Sequence, residues 1–157
     1  MITTLLLAFI FVSYIGFIVY RFGVLPSISE SYYKLQPLRT SFLFTLFCWS
    51  LSTLMLFQTN ETTAWFFASG VGLAFVGAAT MFRWAGAHTR KLHDLGAGIG
   101  ITCAFIGLGV EYSNWIPMAV FIAVGTILSS FKVQNRIWWI EITAFCCVIS
   151  GLLYRFV

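Results

Sequence analysis

Six apolar runs alternate with short polar turns along this chain, at about 2–20, 40–58, 63–82, 94–110, 115–131 and 137–154. At 1.5 Å per residue each run covers most of a ~30 Å hydrocarbon layer, so each predicts a membrane-crossing helix. Pro117 falls in the first turn of the fifth, where a missing N–H costs nothing. The longest polar interruption, 21–39, has a pattern of its own. Ser27-Ile28-Ser29-Glu30 fits a capping box, with Ser27 as the cap and Glu30 reaching back to it. Ile28, Tyr32 and Leu35 follow at i, i+4 and i+7, which predicts a short helix lying in the headgroup plane until Pro37 ends it. A sharper alternative has Ser27, Ser29 and Glu30 lining a polar entrance under the bundle.

Charge fixes the direction of threading. The turns after the first, third and fifth runs hold Arg21, Lys34, Arg39, Arg83, Arg90, Lys91, Lys132 and Arg136. Those after the second and fourth hold only Glu61 and Glu111, and Arg155 alone stands on that side. By the positive-inside rule this predicts an all-α, polytopic membrane protein: a six-transmembrane-helix bundle in one domain, both termini outside. The first run lacks a basic leader and a small-residue cleavage site, so it reads as a permanent helix. Plasma or inner membrane is the expected location. Charged residues make up only 9% of the chain and 60% are hydrophobic, which fits that class. The net charge of +4 resides at helix ends, and nucleic acid is not an expected partner.

Small residues mark the expected helix contacts. Gly70, Ala74 and Ala78 recur every four residues in the third run, and Gly96 and Gly100 in the fourth. Such faces let backbones approach where lipid removes the hydrophobic drive. Packing within the chain is the first reading; a homo-oligomer seam is the alternative. Trp65, Trp115, Trp138 and Trp139 read as interfacial belt residues. Cys48, Cys103, Cys146 and Cys147 read as buried small hydrophobes. Asn60-Glu61-Thr62 matches a glycosylation sequon in a turn too short to present it well.

Candidate chemistry gathers near one face. Glu141 lies about one turn into the sixth run, where a carboxylate needs a partner; Arg83 and His93 are the candidates. His88, His93, Asp94 and Glu141 make a four-residue metal alternative, but a five-residue spacing does not stack two histidines on one helix face. Asp94 is more simply the N-cap of the fourth helix. The expectation is no metal and no cofactor. The serine-rich 27–31 segment lacks a nucleophile elbow, and neither a P-loop nor a glycine-rich dinucleotide turn occurs. No internal repeat of the transporter kind is visible.

Pro26-Ser27-Ile28-Ser29 and His93-Asp94-Leu95-Gly96-Ala97 resemble the P-x-I-S and H-x-x-G-A positions of DRAM-like six-helix membrane proteins and their bacterial relatives of unknown function. The resemblance implies a compact bundle that handles or responds to lipids, with no catalytic residues to carry over. The short outer loops here depart from that family. A fainter likeness to ceramidase- and progestin-receptor-type membrane hydrolases stops at their late H-x-x-x-H motif, since no histidine follows His93. These observations predict a non-enzymatic integral membrane protein with a cytoplasmic-face pocket of Ser27, Ser29, Glu30, Arg83, His93, Asp94 and Glu141. Lipid headgroups or a partner membrane protein would meet that pocket. The alternatives are a metal-dependent intramembrane lipid hydrolase and a small channel or transporter.

Overall fold

The computed structural model describes residues 1–59, 64–80, 87–131 and 133–154, and over these the protein is all-helical. Its α-helices are α1 (Ile2–Phe22), α2 (Glu30–Leu35), α3 (Phe42–Leu56), α4 (Trp65–Thr80), α5 (Ala87–Tyr112), α6 (Ile116–Ser130) and α7 (Arg136–Tyr154). Three of them, α1, α5 and α7, are long and apolar enough to cross a membrane. The apolar helices α3, α4 and α6 have 15, 16 and 15 residues, or about 22–24 Å at 1.5 Å per residue.

The fourth run is where expectation and structure differ most. Helix α5 begins at Ala87, not at Asp94, and runs for 26 residues. The segment before the apolar run, His88 to Leu92, holds Arg, Lys and Leu and no breaker, so the helix extends back through it. Asp94 therefore sits inside the helix and is not its N-cap.

The short helix after α1 is present but built differently from the expectation. Its N-cap is Ser29 and no side chain caps it, so the Ser27–Glu30 box does not form. Ser27 contributes its backbone carbonyl to the Glu30 N–H instead (3.2 Å). Nor does the Ile28–Tyr32–Leu35 stripe face headgroups. Ile28 and Leu35 are buried, and Tyr32 packs against them in the core of the bundle. A 3-10 turn over Gln36–Leu38, with Pro37 inside it, and a left-handed Arg39 (φ 56) then lead into α3.

Helices pack on one another in the bundle: α1 on α3 and α7, α3 on α4, α4 on α5, and α6 on α7, with α5 also touching α6 and α7. The closest approach is α4 on α5. A Cβ on Gly72 would lie 2.6 Å from backbone atoms of both Gly96 and Gly100. Gly96 and Gly100 thus do form a contact face, but the α4 side is Gly72 rather than the Gly70–Ala74–Ala78 row. Two residues along a helix is about 200° of rotation, so Gly70 turns away. It faces α3, where a Cβ would meet Leu56 and the Ser52 carbonyl at 2.9 Å.

Hydroxyls tie these close faces together. Ser69 Oγ donates to the Gly100 carbonyl and Ser52 Oγ to the Gly70 carbonyl, each at 2.7 Å. Trp138, expected in the aromatic belt, is 1% exposed and belongs to the core; Trp65, Trp115 and Trp139 stay at the surface. Cys48 and Cys147 are buried, Cys103 is partly so, and Cys146 is exposed on its helix.

Candidate functional site

The site begins where α1 ends. Gly23 takes φ 75, ψ −168, a conformation essentially reserved to glycine, and turns the chain back toward α7. Alternate residues of the next stretch then reach α7 in sequence. Asn135 Nδ2 donates to the Val24 carbonyl (3.0 Å), and the Trp138 N–H to the Pro26 carbonyl (3.2 Å). Ile28 N–H donates to Glu141 Oε2 (2.6 Å). The stretch is a run of bends and turns rather than a strand, and its course along the start of α7 is what brings positions 24, 26 and 28 to Asn135, Trp138 and Glu141 in turn. Trp138 is in the first turn of α7, where backbone N–H groups have no helical partner, so the Pro26 carbonyl fills a real vacancy.

The carboxylate expected to pair with Arg83 or His93 is therefore satisfied by a backbone amide. Arg83 lies outside the described residues. Behind Ile28 the polar contacts continue. Ser31 Oγ donates to the Ile28 carbonyl at 2.6 Å and lies 2.6 Å from the Tyr14 hydroxyl. A serine has one hydroxyl hydrogen and Ser31 spends it on Ile28, so Tyr14 is the donor in its pair. Tyr14 to Ser31 and Ser31 to the Ile28 carbonyl are aligned and reinforce one another in a low-dielectric interior. The Ile28 N–H belongs to the preceding peptide unit, so its bond to Glu141 is a separate one on the same residue. Tyr14 is held for this by stacking on Phe47, ring centroids 4.1 Å apart and planes 12° from parallel.

Beneath this clip is a cleft with about 500 Å³ of empty space, counting its mouth. Ser29, His93 and Glu141 supply the polar walls; Phe47, Leu51, Leu73, Ala97, Ile101 and Phe145 are among the apolar ones. Leu51, Leu73, Ile101 and Phe145 also line a second space, deeper between Leu7 and Val148. Apart from Ser69, whose hydroxyl is spent on Gly100, that second lining is apolar. The two spaces are thus stacked, a polar end above an apolar one.

His93 is oriented by α4. Its Nδ1 lies 3.2 Å from the Val76 carbonyl, which can only accept, so Nδ1 carries the hydrogen. In the neutral ring Nε2 is then an acceptor.

Of the seven residues expected to form a pocket, the structure brings Ser29, His93 and Glu141 to one cleft. Ser27 stands just behind, its Oγ 3.0 Å from that of Ser29. Glu30 is partly buried but not in the lining, and Asp94 is exposed. His88 is exposed as well, 140° around α5 from His93 at 100° per residue. Among the described residues no three His, Cys, Asp or Glu side chains gather as a metal group would require, so His88, His93, Asp94 and Glu141 are not one cluster. The sequon at 60–62 lies outside the described residues, as do Lys132 and Arg155.

Sequence reasoning missed Tyr14, Ser31 and the Ile28 amide. A tyrosine in the middle of a largely apolar run was the available signal for the first, since a buried phenol seeks a partner. The Ile28 amide left no signal, because a backbone donor has no residue type.

Comparison of the chain with protein-family models, with curated proteins and with solved structures gives no match.

Proposed function

We propose that this is a non-enzymatic, multi-pass membrane protein, with α1, α3, α4, α5, α6 and α7 as six spans and both termini outside. Its cleft at the cytoplasmic end receives lipid. The observation that carries this reading is the stacked space: Ser29, His93 and Glu141 at one end and aliphatic and aromatic walls below. That gradient matches an amphiphile better than a soluble metabolite, which would want polar groups throughout.

Surface chemistry supports the membrane setting. Phe9, Val12, Phe67, Phe75, Ile122 and Ile127 are exposed on different helices. Soluble monomers seldom present such apolar area. Exposed hydroxyls are also hidden from their surroundings. Thr53, Thr126, Ser130 and Thr143 each donate to the carbonyl four residues back, as side chains do when water is absent. The shorter spans are accommodated by local thinning of the bilayer around them.

A kinship with DRAM-like proteins remains part of the proposal, and the positions behind it have structural work here. Pro26 and Ile28 hold α7, Ser29, His93 and Ala97 line the cleft, and Gly96 packs on Gly72.

The test is native mass spectrometry of protein purified in a mild detergent. Wild type should retain lipid, and Ala97→Leu, which fills the cleft from α5, should lose it while melting within a few degrees of wild type. Equal lipid retention by a folded Ala97→Leu would refute the cleft as the site.

A further inference from the structure

The geometry points to a single-chain amphiphile with a cationic amine head as the ligand of the cleft, its ammonium between Glu141 and His93 and its chain running down toward Ala144 and Val148. The assignment rests on the lipid-binding reading above and narrows it by the chemistry of the walls.

The polar end of the cleft offers acceptors. Glu141 Oε2 is occupied by Ile28 N–H, and Oε1 is left for the cleft; it is not among the buried polar atoms sealed without a partner. His93 spends its Nδ1 hydrogen on Val76, leaving Nε2 as an acceptor in the neutral ring. No lysine or arginine is among the described lining residues. A carboxylate or phosphate head would face Glu141 with like charge and find no counter-ion among the described lining residues. An ammonium has three hydrogens to donate and a positive charge to place beside a carboxylate, and charge-assisted bonds of this kind are the strong ones. A neutral alcohol can donate to one acceptor only.

The apolar end sets the tail. From Glu141 to Val148 the lining of α7 descends about 10 Å at 1.5 Å per residue, through Ala144 and Phe145. The facing walls, Leu51, Leu73 and Ile101, are shared by both spaces, so the lower space adjoins the upper in the direction a chain would take. The Ile28 clip leaves room for the head because it uses one carboxylate oxygen only.

Three octyl probes with one tail separate the head chemistries: octylamine, octanol and octanoate. Binding is measured by equilibrium dialysis against the full-length protein in nanodiscs, subtracting empty nanodiscs, with Glu141→Gln and Ala97→Leu alongside. Glu141→Gln keeps an oxygen acceptor for Ile28 N–H and so should fold. The expected result is octylamine bound tightest, weakened at least tenfold by Glu141→Gln and lost in Ala97→Leu, with octanol weak and indifferent to Glu141→Gln. If octanoate or octanol binds as well as octylamine, or if Glu141→Gln leaves octylamine unchanged, the amine head is wrong. Sensitivity to Ala97→Leu would in that case still uphold a lipid cleft. If no probe responds to Ala97→Leu in a folded protein, the cleft reading falls and the amine assignment with it.

Discussion

Replacing Glu141 by leucine and by glutamine asks what a carboxylate does in this helix. In the structure its partner is the N–H of Ile28, 2.6 Å away, on a residue that is 4% exposed. Glutamine retains an acceptor oxygen at that distance, so the bond survives in neutral form. Leucine removes it and leaves the Ile28 N–H without its protein acceptor. A hydrogen bond to a charged group is worth about 1.5–3 kcal/mol, and an orphaned buried donor costs about 1–3 kcal/mol. Removing a carboxylate from a span returns part of this, because the charged form is costly to hold near lipid. The net expectation is a loss of about 2 kcal/mol for Glu141→Leu and under about 1 kcal/mol for Glu141→Gln. For a chain of this size that is a melt lowered by roughly 4–8 °C for leucine. The assay is a thermal melt of the three proteins in one detergent at one scan rate, since unfolding of such proteins is often irreversible. An ion pair would make both variants equally poor, because each strands a cation. A leucine variant at or above wild type would refute the clip and return Glu141 to a lipid-facing role.

Gly72→Ala should be among the most damaging alanine substitutions in the protein, since its Cβ meets backbone of α5 at 2.6 Å and backbone cannot rotate away. A loss of about 1–3 kcal/mol is expected against almost none for Gly98→Ala, which meets nothing within 4 Å; equal melts for the two would misplace the α4–α5 contact. Topology is tested in a chain whose native cysteines are replaced. A cysteine at Ser113 should label from outside intact cells and one at Thr89 should not, and labelling of Thr89 would overturn the six-span, both-ends-out arrangement.

What the sequence made legible was whatever depends on period and length. The helical segments follow from apolar runs, and 137–154 and 115–131 lie within one residue of α7 and α6 at each end. The fourth boundary failed because apolarity marks where lipid begins and not where a helix begins. His88 to His93 is polar yet helical. The small-residue faces show a second limit. A four-residue repeat identifies a face, but α4 has more than one such face, and only packing decides that Gly72 meets α5 while Gly70 meets α3. In the cleft, Ser29, His93 and Glu141 were legible as polar residues at one depth. Glu141's actual partner was not, because a main-chain donor 113 residues away is invisible to residue type.

The Val24–Ile28 stretch also bears on the order in which the protein is made. Its backbone polar groups are matched by Asn135, Trp138 and Glu141, which leave the ribosome more than a hundred residues later. Until α7 arrives, the turn after α1 lacks the partners that its amide and carbonyls have in the finished fold. Closing so long a loop adds little entropic cost over a moderate one, since the penalty grows only with the logarithm of length. The delay is in time. The first turn synthesised is thus among the last to be fixed, and a chain stopped before residue 136 would carry helices α1 to α6 with this end of the bundle unfinished. Final locking of the turn after α1 would report that synthesis of α7 is complete.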